Sequence, residues 1–403
     1  MKKDSFTNNT NLRELFLLHP DVVFLNHGSF GACPRSVFET YQQWQRELEQ
    51  QPVEFLGRRF PALMQTARAA LAVYINSDPE DIVYVPNATT GLNVVARSLD
   101  LQPGDEVLTT DHEYGALDRT WRFICAKRHA RYVNQSLPLP VQSAEEAIEA
   151  IWAGVTPRTR VLFISHITSP TALILPVAEL IRRAREASIL TVIDGAHAPG
   201  QISLDLTALG ADFYAGNLHK WLCAPKGAGF LYARREAQHL LEPLVVSWGW
   251  NRGDESAGLL DLGNHTSRFV DEQEWQGTRD IAAYLSVPAA IQFQADHDWP
   301  RVRQECHELL QEARQRIEEL TGLPPICPDS PEWYAQMAAF PLPACDGATL
   351  KRRLYDEYRV EVPIIEWGGR QLVRVSVQGY NTAEDAAALV RALGDLLPQV
   401  TRP

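Results

Sequence analysis

Basic charge is scarce in this chain. Over 403 residues, 38 lysines and arginines face 50 aspartates and glutamates, a net charge of −12, which argues against nucleic acid or an anionic membrane as the main partner. Long apolar runs are missing too. None reaches the length that spans a bilayer, and no apolar core follows Met1-Lys2-Lys3-Asp4-Ser5 before the sequence turns polar at Thr7 to Asn11. The six cysteines, at positions 33, 125, 223, 306, 327 and 345, include no CxxC pair and read as reduced thiols of a cytoplasmic protein. No internal repeat or low-complexity tract interrupts the chain. What remains is a globular composition, 45% hydrophobic, in a chain too long for one simple core. The division it suggests is an arm over residues 1–20, a large domain over 21–290 whose first part can pack on its neighbour, and a small C-terminal α/β domain over 291–403.

The rest is organised around Asp194 to Lys220. The apolar run Ile189-Leu190-Thr191-Val192-Ile193 ends in Asp194, and Gly195-Ala196 leads on to His197. A second run, Asp212-Phe213-Tyr214-Ala215-Gly216, ends in Asn217-Leu218-His219-Lys220-Trp221. Two strand ends thus deliver polar groups to the carboxyl edge of a sheet, where open α/β folds build their sites. From Phe213 to Ala233 the only basic or acidic side chains are His219, Lys220 and Lys226. An amine in apolar surroundings loses the hydration of its charged form, so its pKa falls and its nucleophilic form becomes accessible. Schiff-base chemistry with a carbonyl cofactor requires that form.

Elsewhere, apolar strands alternate with amphipathic helices. Ile82 to Val85, Glu106 to Thr110, Arg160 to Ile164 and Gly229 to Tyr232 read as strands. Helices are expected from about Pro34 to Glu49, from Leu92 to Leu99, behind a capping box at Ser143 and Glu146, from Pro176, and from Arg301 to Leu320. The alternation predicts a mainly parallel sheet covered on both faces. Beyond it, a helix from Ala348 to Tyr358, strands at Val360 to Ile364 and Leu372 to Val377, and a last helix capped by Thr382 form a smaller α/β unit.

Several segments carry candidate chemistry. Asn26-His27-Gly28-Ser29-Phe30-Gly31 is either an ordinary turn or a loop whose backbone approaches a ligand. Arg58-Arg59, between aromatics, is surface charge or an anion clamp. Asn87-Ala88-Thr89-Thr90 caps a helix and offers an anion site at its N-terminus. Residues 247–277, rich in Gly, Trp and His, read as an irregular loop facing substrate or a second subunit. Arg374 interrupts an apolar strand, which is costly unless it is paired.

Asp194-Gly195-Ala196-His197 together with Asn217-Leu218-His219-Lys220-Trp221 resembles the signature of class V aminotransferase-fold enzymes. Within them the chain is most similar to the isopenicillin N epimerase-like group, with matching segments from Leu25 to Ser376. The resemblance implies PLP fold type I: an α/β large domain with a mainly parallel seven-stranded sheet flanked by helices, plus the small C-terminal α/β domain. It implies pyridoxal 5'-phosphate (PLP) as cofactor, held by Lys220. On that reading Ala88, Thr89, Thr90 and His219 serve the phosphate, Asp194 the pyridine nitrogen and His197 the phenolic oxygen. A ring at His112 or Tyr114 would lie over the cofactor, His112 as the preferred stacker and Tyr114 as a second acid or base. Thr168 stands near where related cysteine desulfurases carry an asparagine on the phenolic oxygen. Thr278 resembles the threonine that reaches the neighbouring subunit's cofactor phosphate, which implies a homodimer with composite sites. Asn26, His27 and Gly28 would face substrate, while Arg58 or Arg59, and Arg374, would bind carboxylates.

The resemblance also frames the reaction. With Lys220 as the base that removes a Cα proton, it implies an epimerase or racemase acting on a small-molecule amino acid. A C–S lyase on a cysteine conjugate or sulfoxide, as in ergothioneine synthesis, is the alternative, and transamination is less typical. A catalytically silent regulator is the non-enzymatic alternative, and the pairing of Lys220 with Asp194 argues against it. Desulfuration through an enzyme persulfide is not expected, since no cysteine stands between Ile364 and Arg374, where desulfurases place theirs.

Overall fold

Twelve strands follow one another along the chain in the computed structural model, which describes residues 12–250 and 267–401. They are β1 (Val23–Phe24), β2 (Ile82–Val85), β3 (Glu106–Thr110), β4 (Arg131–Gln135), β5 (Thr159–Ser165), β6 (Leu190–Gly195), β7 (Phe213–Asn217), β8 (Gly229–Ala233), β9 (Met337–Leu342), β10 (Val360–Glu361), β11 (Ile364–Trp367) and β12 (Arg370–Ser376). Seven form one sheet in the order β2-β8-β7-β6-β5-β3-β4. All its neighbours pair parallel except those flanking β8, which runs against β2 and β7. Strands β2, β3, β7 and β8 are buried at every residue, because helices cover both faces and leave no solvent side for a polar alternation. A small antiparallel sheet, β11-β12-β9, lies beyond.

The carboxyl ends of the large sheet set the address of the site. Asn87 follows β2, His112 and Tyr114 follow β3, Thr168 follows β5, His197 follows β6, and His219 and Lys220 follow β7. The small sheet comes to the same edge through the N-terminal segment. Strand β1 pairs parallel with β10, and Asn26 bridges Ser376 at the end of β12.

Several boundaries differ from the expectation. Residues 27–30 are a short helix rather than a loop. The helix Arg35–Gln50 ends as expected, but Pro52 opens another helical run instead of a connection. Proline is well placed in a first helical turn, where its missing N–H is not needed. That run passes through a π-helical turn at Phe55–Arg59 into the helix Phe60–Ile75, so Arg58 and Arg59 sit on a helix. The single strand expected at 360–364 is two, β10 and β11, separated at Pro363, which cannot donate to a ladder. In the expected loop at 247–277, residues 251–266 lie outside the described residues, as do residues 1–11 of the expected arm. Arg268–Glu274 is a helix capped by Ser267, with Phe269, Val270, Glu272, Gln273 and Glu274 buried.

Burying Glu274 demands a partner, and Arg68 supplies it. The Arg68 guanidinium donates to Glu274, and the Tyr84 amide lies 3.4 Å from the other carboxylate oxygen. Both ion-pair residues are 3% exposed. Removing one partner strands a buried charge, which costs about 3–5 kcal/mol, whereas replacing both with apolar residues of similar volume is often near neutral. Arg68 also lies 3.6 Å from Glu80, so the charge left stranded is that of Glu274: we expect Arg68→Met to lose that amount in urea unfolding and Arg68→Met with Glu274→Leu to recover most of it.

Candidate active site

Lys220 follows β7 because β7 ends in the core. The Leu218 and His219 amides lie within hydrogen-bond distance of the Ala228 carbonyl, which bends the chain so that Lys220 falls beside the end of β6. Its Nζ lies 3.2 Å from His197 Nε2. Burial pushes the amine down to about 7, with the charge of Arg374 acting in the same direction and Asp194 opposing both. Asp194, 3% exposed, accepts from the Ala196 amide at 2.9 Å. Loss of hydration raises its carboxyl, while that hydrogen bond and the charge of Lys220 pull it back.

Glu113 is a second buried carboxyl near Asp194. Its two oxygens form hydrogen bonds with the Thr110 and Ser165 hydroxyls, each at 2.6 Å. Burial raises it to about 8, with Asp194 contributing in the same direction against those hydrogen bonds. At neutral pH it is therefore the neutral member of the pair, leaving the negative charge to Asp194.

On the opposite side stands Arg374, 5% exposed on β12. Its Nη1 donates to the Ser169 carbonyl at 2.6 Å and its Nη2 to the Ser29 hydroxyl at 3.1 Å. The Ser29 hydroxyl donates onward to Asn26 Oδ1 at 2.5 Å, and Asn26 donates to Glu361 at 2.9 Å. These neutral contacts hold the guanidinium in place without neutralising it, and its buried Nε has no hydrogen-bond partner. Among the described residues no anion pairs with this strand charge.

The helix Ala88–Ser98 points its N-terminus into the same edge. Asn87 caps it through the Thr90 amide at 2.9 Å, and Asn217 at the end of β7 takes the Ala88 amide at 2.8 Å. The Thr90 hydroxyl also goes to Asn87, at 3.1 Å. Among the described residues the Thr89 amide and hydroxyl make no hydrogen bond. His219 points Nδ1 at the Ala228 carbonyl, 3.1 Å away, and burial lowers the ring to about 4. Neutral in that tautomer, its Nε2 is an acceptor, so it meets an anion only by taking up a proton.

Three other expected positions are engaged elsewhere. His112 is 0% exposed; its Nδ1 pairs with the Thr171 hydroxyl at 2.7 Å and its Nε2 with the Leu137 carbonyl at 2.9 Å. Its ring packs against Trp367 at 4.2 Å between centroids, a departure from the expected stacker, since no ring surface is open to a ligand. Tyr114, two residues on, is 45% exposed. The Thr168 hydroxyl is also fully enclosed, accepting from the Leu173 amide at 2.8 Å and pairing with Thr171, so it holds a turn. His27 pairs with the Tyr380 hydroxyl and the Lys220 carbonyl, both at 2.9 Å. It anchors the lysine's backbone and leaves no nitrogen for substrate. Gly28 serves close packing: a Cβ there would come within 2.6 Å of Met337 Sδ. Arg59 pairs with Glu47 at 3.2 Å and lies over the Phe55 ring; Arg58 is exposed, as is Thr278.

Ser29, Ser169, Glu113, Asn217 and Trp221 carry contacts that had not been assigned roles. Ser29, Asn217 and Trp221 lie in segments singled out from the sequence, while Glu113 stands between His112 and Tyr114 and Ser169 beside Thr168; a polar group close behind a strand was the available signal for most of them. The assembled donor set fits a phosphorylated pyridine aldehyde. It offers a low-pKa amine, a buried carboxylate, a helix N-terminus with an unused amide and hydroxyl, and a guanidinium with a buried unpartnered nitrogen.

Known proteins share the family and the fold. The family model for aminotransferase class-V matches residues 24–389. An isopenicillin N epimerase of Amycolatopsis lactamdurans is 40% identical over 393 residues, 96% of this chain and 98% of that protein. A probable chloroplastic L-cysteine desulfhydrase of Arabidopsis thaliana is 30% identical over 413 residues, 94% of this chain and 83% of that one. Among solved structures, a variant of the enzyme C-DES with glycine covalently linked to its PLP cofactor superposes with a TM-score of 0.79 at 23% identity, covering 95% of this chain and 99% of that one.

Gly31, the residue after the short helix His27–Phe30, packs against this lysine's backbone. Its φ is +71°, and a Cβ would fall 2.0 Å from the His219 carbonyl and 2.9 Å from Lys220 Cα. Gly31→Ala is expected to lose at least about 1–3 kcal/mol from backbone strain alone, read by urea unfolding, and to weaken retention of the cofactor. Unchanged stability would show that the contact yields easily.

Proposed function

Because the chain belongs to the aminotransferase class-V family, we propose that it is a PLP-dependent enzyme acting at Cα of an amino acid, foremost as an epimerase. One observation carries this reading: the Lys220 amine, 3.2 Å from His197 Nε2, shares the strand-end edge with the buried carboxylate Asp194 and with Arg374, which pairs with no anion among the described residues. Lys220 would hold the cofactor's aldehyde carbon, Asp194 its pyridine nitrogen and His197 its phenolic oxygen. The Ala88–Thr90 helix start would hold the phosphate. When bound, the cofactor supplies an electron sink for negative charge at Cα.

The protein's own groups do the rest. Arg374 binds the substrate carboxylate through its planar fork, with Ser29 and Ser169 fixing the guanidinium. The anionic Asp194 favours a protonated pyridine, while the neutral Glu113 beside it adds no second charge. Lys220 would take the Cα proton, its lowered pKa keeping it a free base near neutral pH. Epimerisation needs a second acid on the other face. We assign this to Tyr114, which is exposed where His112 is enclosed.

The 40% identity to the Amycolatopsis epimerase over nearly the full length supports epimerisation. The desulfhydrase relative supports the alternative, in which a sulfur leaving group departs from Cβ after the same proton removal. A second copy of the chain would complete the site at Thr278. Its exposure, and that of Val246 and Trp248 at 66% and 58%, supports such a face. Arg58, free of the Glu47 pairing that engages Arg59, is the better candidate to bind a second carboxylate. No disulfide forms among the cysteines, and among the described residues no helix is long and apolar enough to cross a membrane; these support a cytoplasmic setting.

Proton NMR of the holoenzyme in D2O with amino acids and cysteine conjugates tests the reading. Deuterium at Cα with the side chain intact and loss of optical purity is the expected result. Pyruvate, ammonia and a released thiol would establish the lyase instead. Lys220→Ala should abolish exchange, and Arg374→Lys, which keeps the charge but loses the fork, should raise KM by about tenfold or more, since a charged hydrogen bond is worth about 1.5–3 kcal/mol. A wild-type protein that retains no PLP would overturn the proposal.

A further inference from the structure

Trp221 is the residue after Lys220, and its fully buried indole makes one polar contact that the proposed reaction has not used. Its Nε1 lies 3.3 Å from His197 Nδ1, while the other ring nitrogen, Nε2, lies 3.2 Å from Lys220 Nζ. An indole N–H can only donate, so Nδ1 must accept. A neutral imidazole carries one proton, which then has to sit on Nε2. That N–H faces the lysine, and the lysine nitrogen can accept it only as an uncharged amine.

We propose that Trp221 is a positioning residue that locks His197 in the Nε2–H tautomer, so that His197 donates to Lys220 and selects its neutral form. The contact rests on the reading of Lys220 as the cofactor lysine, and it deepens that reading by naming what keeps the amine nucleophilic.

The surroundings agree with the donor count. His197 is 3% exposed, and burial pushes its pKa well down, with Lys220, Arg374 and His219 adding to the effect. The ring is therefore neutral. The groups acting on Lys220 are Arg374, which disfavours its charge, and Asp194, which favours it. Asp194 would otherwise hold an ammonium, and the donating Nε2–H tips the balance the other way. The same N–H then faces whichever oxygen a ligand places beside the lysine, so the tautomer also suits a phenolic oxygen carrying negative charge. The indole is fully buried with its ring 5.0 Å from that of His27 between centroids, and the backbone of Trp221 is fixed as well. The Trp221 carbonyl accepts from Gln294 Nε2 at 2.9 Å, and a Cβ on Gly200 would meet that carbonyl at 2.3 Å, so Trp221 has little room to swing away.

Without the indole donor, His197 can adopt the Nδ1–H tautomer, and its Nε2 can accept from a protonated lysine. Trp221→Phe should therefore raise the pH at which the amine becomes free. Two measurements decide. In histidine-labelled wild-type protein, nitrogen-15 NMR, with the His197 signals identified by their loss in His197→Gln, should show Nδ1 unprotonated and Nε2 protonated at neutral pH. In cofactor-stripped protein, the rate of PLP capture against pH should have its midpoint near 7 for wild type and about one unit higher for Trp221→Phe. Capture would then be about fivefold slower near pH 7 and about tenfold slower at lower pH, with the two curves converging at high pH. An Nδ1–H tautomer or a doubly protonated ring in wild type would overturn the proposal, as would a Trp221→Phe curve lowered equally at every pH. The NMR result stands even if the variant fails to fold. A wild type that captures no PLP would remove the cofactor reading and leave the tautomer assignment to the NMR alone.

Discussion

Loss of hydration at the Lys220 amine is the constraint on which the rest of the site depends. An ammonium at the end of β7 would be stable if Asp194 were its only neighbour. Arg374 and the enclosing core shift the balance, and the result is an amine near neutrality at about 7. The arrangement requires that Asp194 keep its charge without a second anion nearby. Glu113, raised to about 8 by burial and held by two hydroxyls, meets that requirement by being neutral. Two carboxyl groups in one pocket thus take different protonation states, each set by its surroundings.

The same amine depends on contacts from both sheets. His27, just after β1, holds the Lys220 carbonyl and the Tyr380 hydroxyl beyond β12. Gln201 donates to the His197 carbonyl at 2.8 Å and accepts from the Gln336 amide, which precedes β9, at 3.1 Å. The small sheet that carries Arg374 is therefore tied to the backbone of both residues at the lysine amine. These links are buried and neutral, so they fix position without shifting charge. A displacement of β12 would move Arg374 and the lysine together.

Much of this was legible in the sequence because strand ends carry their own signal. Asp194, His197, Lys220 and the Thr89 helix start all follow short apolar runs, and the parallel sheet brings such ends to one edge. Arg374 was legible as a charge too costly to bury without a purpose. What could not be read was the facing of individual side chains. His112 and Tyr114 are two residues apart after the same strand, and the turn there buries the first and exposes the second. His27 looked like a ligand-binding residue because its partners, Tyr380 and Lys220, lie hundreds of positions away in sequence. Arg59 pairs with Glu47 only because the chain after Pro52 turns back as a helix. The helix at 268–274 was hidden inside a Gly- and Trp-rich stretch whose composition speaks for a loop.

The burial of His112 has a structural reason that also bears on the chemistry. Its ring is the seat for Trp367 on β11, and Trp367 Nε1 donates to the Asp111 carbonyl at 2.7 Å. On the neighbouring strand β12, Arg370 donates to the Leu139 carbonyl at 3.2 Å. The β11–β12 hairpin is thus pinned to the large sheet at both strands, and it contains no cysteine. Desulfuration through a persulfide needs a thiol delivered over the substrate from this part of the chain. A cysteine-free hairpin pinned in place cannot deliver one. Proton removal at Cα, the step proposed for epimerase and lyase alike, needs no such thiol, and it would begin at the amine that the two sheets hold in common.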